Sequence, residues 1–346
     1  MTSSLDAVGG VLCAGFGTRM APITEVIPKP LIPFMNAPLL AYALDHLQRA
    51  GIEEVGLNLH HLADSIPPVA DRLGATMGLR PVYAREWEIL GTAGGARGIW
   101  IALGSPEKTL VLLNGDSVMN IDLVSHLRQH RESGASATLI VRPKDPNQPG
   151  RVWVDQEAMA LRGLRDFRSP HREDQEEKLE EYDFTGVYLL EPELLEEIPL
   201  EEGCLIGDVL GPRLAAGEEF GISVNDDFWA ALDNPSLYFE TMSRVLGEPT
   251  LFSQLPLPEP LKGELYLFAQ EGIDDKAQLA GPILAGAHVK VAGGVYLGPN
   301  AVVDGVELKE GASVRNAVLY GMGSVEGEWH DCLAVAGKVV SFPSGQ

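Results

Sequence analysis

Cysteine, positive charge and long hydrophobic runs are all scarce in this 346-residue chain. Cys13, Cys204 and Cys332 are odd in number and share no metal or redox spacing, which argues against a disulfide framework and fits a reducing compartment. Lysine and arginine number 26 against 49 aspartates and glutamates, for a formal net charge of −23. Nucleic acid and anionic membrane both need a basic face, so neither is expected as a partner. No apolar run is long enough to span a bilayer, and no basic segment leads into an apolar stretch at the start. A soluble, cytoplasmic protein is expected. No serine or cysteine stands in a nucleophile arrangement.

What is present begins with a short apolar run over 8–14, which reads as a buried strand opening into a glycine-rich loop. Gly15 and Gly17 let the backbone approach a ligand closely, so that amide N–H groups can face phosphate oxygens. Arg19 adds a fork suited to the same oxygens. Pro22, Pro28, Pro30 and Pro33 forbid a long helix and predict that Lys29 sits on a stiff, extended segment. The loop lacks the Gly-Lys-Ser/Thr ending of a P-loop and the full dinucleotide fingerprint.

Strand and helix patterns alternate through the first two-thirds. Strands are expected at 54–59, 79–84, 109–113 and 137–141, and helices at 39–50, 61–73, 91–103 and 123–131. Repeated strand–helix–strand units imply an α/β domain with a mostly parallel sheet covered on both faces. The pattern weakens over 152–187, which includes an acidic run at 172–181 and reads as an exposed insertion. Helices at 193–198, 205–216 and 237–246 and a strand at 220–224 complete a domain over 1–247. Pro249, Pro256, Pro258 and Pro260 then mark a stiff linker over 248–262.

In the remaining segment, 263–346, Ile283, Val289 and Val295 are spaced by six residues, as are Val302, Leu308 and Val314. That period with small turn residues is the mark of a hexapeptide β-helix, here imperfect and about three turns long, with a plain antiparallel sheet as the alternative. Asp116 closes the strongest strand pattern, at the end where open α/β sheets place ligands. It is a candidate Mg²⁺ ligand, because that ion takes only one or two protein carboxylates. His126 and His130 lack the glutamate of a zinc-protease helix and read as solvated residues. His60 and His61 have no cysteine or carboxylate cluster near them and read as satisfied or exposed.

Ala14-Gly15-Phe16-Gly17-Thr18-Arg19-Met20 and Pro28-Lys29-Pro30-Leu31-Ile32-Pro33 resemble the signature of the sugar-1-phosphate nucleotidylyltransferases almost letter for letter. The resemblance implies a Rossmann-like α/β nucleotidyltransferase domain followed by a short left-handed parallel β-helix, through which a homo-oligomer could form. It implies transfer of a nucleoside monophosphate from a nucleoside triphosphate to a sugar 1-phosphate. Arg19 and Lys29 would act on the phosphates, with Ala14, Gly15, Gly17 and Thr18 cradling them and Asp116 holding Mg²⁺. Glu88 to Gly95 resembles the base-recognition turn, with Gly91 as the contact and Thr92 as helix cap, and Gly186 would lie against the sugar.

Two departures stand out. The family's Glu-Lys-Pro string is replaced by Asp166-Phe167-Arg168-Ser169-Pro170, without the lysine. The family's second metal-binding aspartate falls on Ala231, with Asp226, Asp227 and Asp233 nearby. Leu90 to Gly94 leans towards the mannose-1-phosphate guanylyltransferases, while the missing lysine leans towards N-acetylmuramate-1-phosphate uridylyltransferase-like proteins. The nucleotide and the sugar stay open, and a catalytically silent homologue that binds a nucleotide sugar and regulates a partner is the alternative. An acyltransferase is disfavoured, since about three β-helix turns leave little room for its site.

Overall fold

The structure is a computed structural model and describes residues 6–342 apart from 146–150, 156, 158, 171–178, 255–256 and 262–263. Most of the acidic run at 172–181 and part of the linker at 248–262 therefore lie outside the described residues. Contacts divide the chain into two units, one formed by Met1–Gly15, Leu40–Ser117 and Ile121–Trp229, the other by Phe16–Leu39, Val118–Asn120 and Ala230–Gln346.

In the first unit the apolar runs become strands β1 (Ala7–Leu12), β2 (Glu54–Leu59), β3 (Arg80–Arg85), β4 (Thr109–Asn114) and β5 (Ala137–Pro143). Helices α1 (Leu39–Arg49), α2 (Ile66–Met77), α3 (Gly91–Ala102) and α4 (Leu123–Ser133) alternate with them. β3, β2, β1 and β4 pair in that order, all parallel, and Leu12 stands beside Asn58 and Asn114. Successive strand residues face opposite sides of a sheet. A Cβ on Gly9 would come within 2.8 Å of Leu47 in α1, and one on Gly10 within 3.2 Å of Ile99 in α3. Helices thus cover both faces, as the alternating pattern predicts.

The described part of the segment over 152–187 is not an exposed insertion. It supplies β6 (Val152–Asp155), β7 (Ala160–Leu164), β8 (Phe167–Arg168) and most of β9 (Leu179–Leu190), all in the main sheet. Val152 and Val154 are buried while Trp153 and Asp155 are half-buried, the alternation of a strand covered on one face. Together with β10 (Gly221–Val224) the strands run β8-β7-β10-β5-β9-β4-β1-β2-β3. β9 lies antiparallel between β4 and β5, so the sheet is mixed rather than mostly parallel. The chain reaches it through short antiparallel connections, β6 to β7 and β7 to β8, which reverse direction without a crossover helix.

His126 and His130 are not solvated. Asp122 caps α4 through the N–H groups of Val124 and Ser125, and the helix turns both histidines onto the sheet. His126 Nδ1 meets Ser223 Oγ at 2.5 Å. His130, 1% exposed, bridges Thr138 Oγ1 and Glu191 Oε1, each at 2.7 Å.

In the second unit, the described residues over 265–335 form stacked parallel strands, and Lys338–Ser341 turns back antiparallel to Glu328–Val335. Leu265, Ile283, Ala301, Ala317 and Cys332 succeed one another across the strand pairs. Ile283, Val289, Val295, Leu308 and Val314 share one apolar core, but the six-residue step continues to Ala301 rather than Val302. An irregularity between Asp304 and Val306 then shifts the phase. Pro235–Gly247, α5, carries Tyr238, whose hydroxyl donates to the Pro33 carbonyl and whose ring meets Phe34 edge-on. Phe342 stacks on Phe239 with ring centroids 4.6 Å apart. No helix among the described residues is long and apolar enough to cross a membrane.

The His130 contact predicts an acid limb in stability. Its hydrogen bond to Glu191, helped by Thr109 and opposed by burial, holds that carboxyl below the ordinary range. A folded-state pKa below the unfolded one adds stability above the unfolded value, about 4.3, and loses it as pH falls through the folded value. Urea unfolding from neutral pH down to well below the unfolded value should show Glu191→Gln less stable than wild type near neutrality and flatter on the acid side.

Candidate functional site

The residues singled out in the sequence fall into two groups, one in each unit. In the first unit, the parallel register brings the ends of β1 and β4 side by side, and the Gly115 N–H donates to the Leu12 carbonyl at 3.1 Å. Ala14 is buried and Gly15 exposed just beyond β1, while Asp116 is half-buried just beyond β4. Burial first, and the Asp116 charge second, push the Cys13 thiol pKa up, so Cys13 is a packed neutral group. Asp116 supplies one carboxylate at this edge, and no group of three or more His, Cys, Asp or Glu residues among the described residues could hold a metal. Hard oxygen chemistry at a single carboxylate fits Mg²⁺, which keeps waters and phosphate oxygens in its other positions.

Gly91 opens α3 with φ at +63°, and a Cβ there would lie 2.4 Å from the Gly203 carbonyl oxygen. Gly203 N–H donates to the Leu90 carbonyl at 3.1 Å and its carbonyl accepts from Ala93 N–H at 2.9 Å. Thr92 is not the helix cap. Leu90 holds that position without a side-chain bond, and the Thr92 hydroxyl accepts from Leu205 N–H at 2.8 Å. Tight backbone packing therefore accounts for these small residues, and it fixes the turn rigidly. Gly186, also at positive φ, faces the Asn114 side chain, and the neighbouring Thr185 carbonyl accepts from the Trp229 indole at 2.7 Å. Arg168 donates to the carbonyls of Arg165 and Phe167 and lies over the Trp153 ring, so its charge is committed to its own turn.

In the second unit, Thr18–Met20, Ile23–Glu25 and Lys29–Leu31 are short 3₁₀ turns. Lys29 is thus not on an extended segment. Pro28 and Pro30 suit the first turn of a helix as well as they suit extended chain. Gly17, at φ +62°, packs against Thr24 and the Lys29 stem. Arg19 and Lys29 converge on one carboxylate. Asp233 accepts from Lys29 Nζ at 2.9 Å and from both terminal nitrogens of Arg19 at 3.0 and 3.1 Å. Burial works to raise the Asp233 pKa, but the Lys29 hydrogen bond and the charges of Lys29 and Arg19 outweigh it and hold the carboxyl low. The Lys29 side chain is 8% exposed and that of Arg19 64%, so one cation is fixed and the other open to solvent. Ala231 ends a short strand, Trp229–Ala231, and offers no ligand atom, whereas Asp226 and Asp227 are exposed.

Sequence reading missed Asn58 and Glu86, which hydrogen-bond to each other in the core. The available signal was their place at the carboxyl ends of β2 and β3.

This chain belongs to the nucleotidyl transferase family, whose model, described as Nucleotidyl transferase, matches residues 8–246. It is 30% identical to a UTP–glucose-1-phosphate uridylyltransferase of Synechocystis over 90% of this chain and 82% of that protein. It is 28% identical to a mannose-1-phosphate guanylyltransferase of Mycobacterium tuberculosis, over 91% of this chain and 84% of that one. Among solved structures, one named as a glucose-1-phosphate thymidylyltransferase of Bacillus anthracis, in complex with sucrose, shares the fold. Its TM-score is 0.51 at 19% identity, over 66% of this chain and 90% of that chain.

The turn at Gly91 gives a direct test. Gly91→Ala combines a strained φ with a backbone clash, so unfolding free energy should fall by about 2 kcal/mol or more in urea titration.

Proposed function

We propose that this protein transfers a nucleoside monophosphate from a nucleoside triphosphate to a sugar 1-phosphate. A phosphate oxygen of the sugar 1-phosphate bonds to the α-phosphorus, the bond from that phosphorus to the bridging oxygen breaks, and pyrophosphate leaves with the electron pair. The chain forms no covalent bond in this step; it orients two polyanions and offsets their charge. The observation that supports the reading is the convergence of Arg19 and Lys29 on the single carboxylate of Asp233, two cations gathered around one anion.

In this reading Arg19 and the backbone N–H groups from Ala14 to Thr18 receive the departing pyrophosphate, and Lys29 receives the reacting phosphate. Phosphate oxygens replace Asp233 on both cations. Asp116 would hold Mg²⁺, which when bound neutralises triphosphate charge. In the same reading Gly91 would meet the base and Gly186 the sugar. Supporting the C-terminal part of the proposal, a short left-handed parallel β-helix, is the in-register stacking of parallel strands from Leu265 to Cys332. A cytoplasmic site of action suits the scarcity of cysteine.

The test is pyrophosphate release across UTP, GTP, dTTP, ATP and CTP against glucose 1-phosphate, mannose 1-phosphate and N-acetylmuramate 1-phosphate, with Mg²⁺. Turnover with one pair is expected. Silence throughout, with nucleotide sugar still bound in calorimetry, would instead establish the catalytically silent homologue. Lys29→Met and Asp116→Asn should each lower kcat by about a hundred-fold or more, because both act on phosphate charge. Asp233→Asn removes the competing anion, so millimolar pyrophosphate should raise the Tm of that variant more than that of wild type.

A further inference from the structure

The loop after β1 and the turn before α3 are joined by a buried chain of hydrogen bonds. Cys13 N–H donates to Asn58 Oδ1 at 2.7 Å, Asn58 Nδ2 donates to Glu86 Oε1 at 2.8 Å, and Leu90 N–H donates to Glu86 Oε2 at 2.9 Å. Asn58 is 2% exposed and Glu86 6%. Glu86 is pinned further by its own backbone: its N–H donates to the Leu59 carbonyl at 2.8 Å, and its carbonyl meets His60 Nδ1 at 3.0 Å. Helix α3 makes room for the pair, since a Cβ on Gly95 would lie 2.7 Å from Asn58 Nδ2.

A buried carboxylate is costly unless its oxygens are satisfied, and here each accepts from a fixed donor. Simple packing between β2 and α3 would be served as well by two apolar side chains, so the polar pair calls for another explanation. Its ends give one. Cys13 precedes Ala14 and Gly15, and Leu90 precedes Gly91. These are the backbone stretches to which the proposed function assigns the triphosphate and the base. We infer that Asn58 and Glu86 are positioning residues that set the distance between the phosphate loop and the Leu90–Gly91 turn, and so act on the nucleotide rather than on the sugar 1-phosphate. The inference rests on the nucleotidyl-transfer reading.

Donor and acceptor directions make the relay testable by exchange. Asn58→Asp sets an acceptor oxygen against Glu86 Oε1, and Glu86→Gln sets a donor against either Asn58 Nδ2 or Leu90 N–H. In the double variant Asn58→Asp/Glu86→Gln every bond is restored with the same total charge. The introduced carboxylate accepts from Cys13 N–H and from the introduced amide, whose oxygen accepts from Leu90 N–H. Each single variant should raise KM for the nucleoside triphosphate about ten-fold and leave KM for the sugar 1-phosphate within about two-fold, and the double variant should return both close to wild type.

Binding of UTP, GTP, dTTP, ATP and CTP by calorimetry and Tm are measured on all four proteins, so that the relay is read without turnover. Singles that bind the triphosphate preferred by wild type as tightly as wild type does, equal rises in both KM values, or a double variant no better than the singles would overturn the relay. A wild type that neither turns over nor binds any of UTP, GTP, dTTP, ATP and CTP would instead sink the nucleotidyl-transfer reading. Hydrogen exchange at Leu90 and Cys13 then decides the relay separately: faster exchange in the singles with recovery in the double supports it, and no recovery refutes it.

Discussion

The first unit depends on one register. Because β1 pairs in parallel with both β2 and β4, Leu12, Asn58 and Asn114 stand in a row at the same edge of the sheet. Every loop leaving that edge starts from a fixed height, and the polar groups of the unit gather there: the backbone after Cys13, the amide of Asn58, the carboxylate of Asp116. Parallel strands make this unavoidable, since their carboxyl ends all point one way and the helices begin from them. The mixed half of the sheet is consistent with it. β9 runs antiparallel to β4, so Gly186 reaches the same row and faces Asn114.

In the second unit the organising constraint is electrostatic. Two cations held close together repel unless an anion lies between them. Asp233 is that anion, and its bidentate contact with Arg19 and its bond to the nearly buried Lys29 hold both in place without a ligand. Tyr238 and Phe34 anchor the turn that follows Lys29, through a buried hydroxyl-to-carbonyl bond and an edge-on ring contact. The pair of cations is thus fixed in place by one carboxylate, rather than by the packing of either side chain alone.

How much of this was legible depended on how local the signal was. Val8 to Leu12 and Thr109 to Leu113 are unbroken apolar runs, and their strands and terminal loops followed directly. The segment over 152–187 misled because its alternation is short and embedded in charge, and pairing across the sheet supplied the burial that the pattern underplayed. His126 and His130 looked polar and exposed on a helix; their partners, Ser223, Thr138 and Glu191, are distant in sequence or lie on other elements. In the stacked strands the six-residue step was visible, but the choice between Ala301 and Val302 for the core depended on a local irregularity at Asp304.

The sequence by itself determined the elements of the α/β core, the glycine-rich loop, the presence of Arg19, Lys29 and Asp116, and the kinship those residues carry. It did so because each is written in adjacent residues: apolar runs, glycines where backbone must approach, prolines where helices cannot continue. Only the tertiary structure decided that Asp233 pairs with both cations across more than two hundred residues, and that Asn58 and Glu86 tie Cys13 to Leu90. The physical reason is the same in both cases. A charge or amide is satisfied by whichever partner folding brings within hydrogen-bond reach, and that partner leaves no periodic trace in the chain.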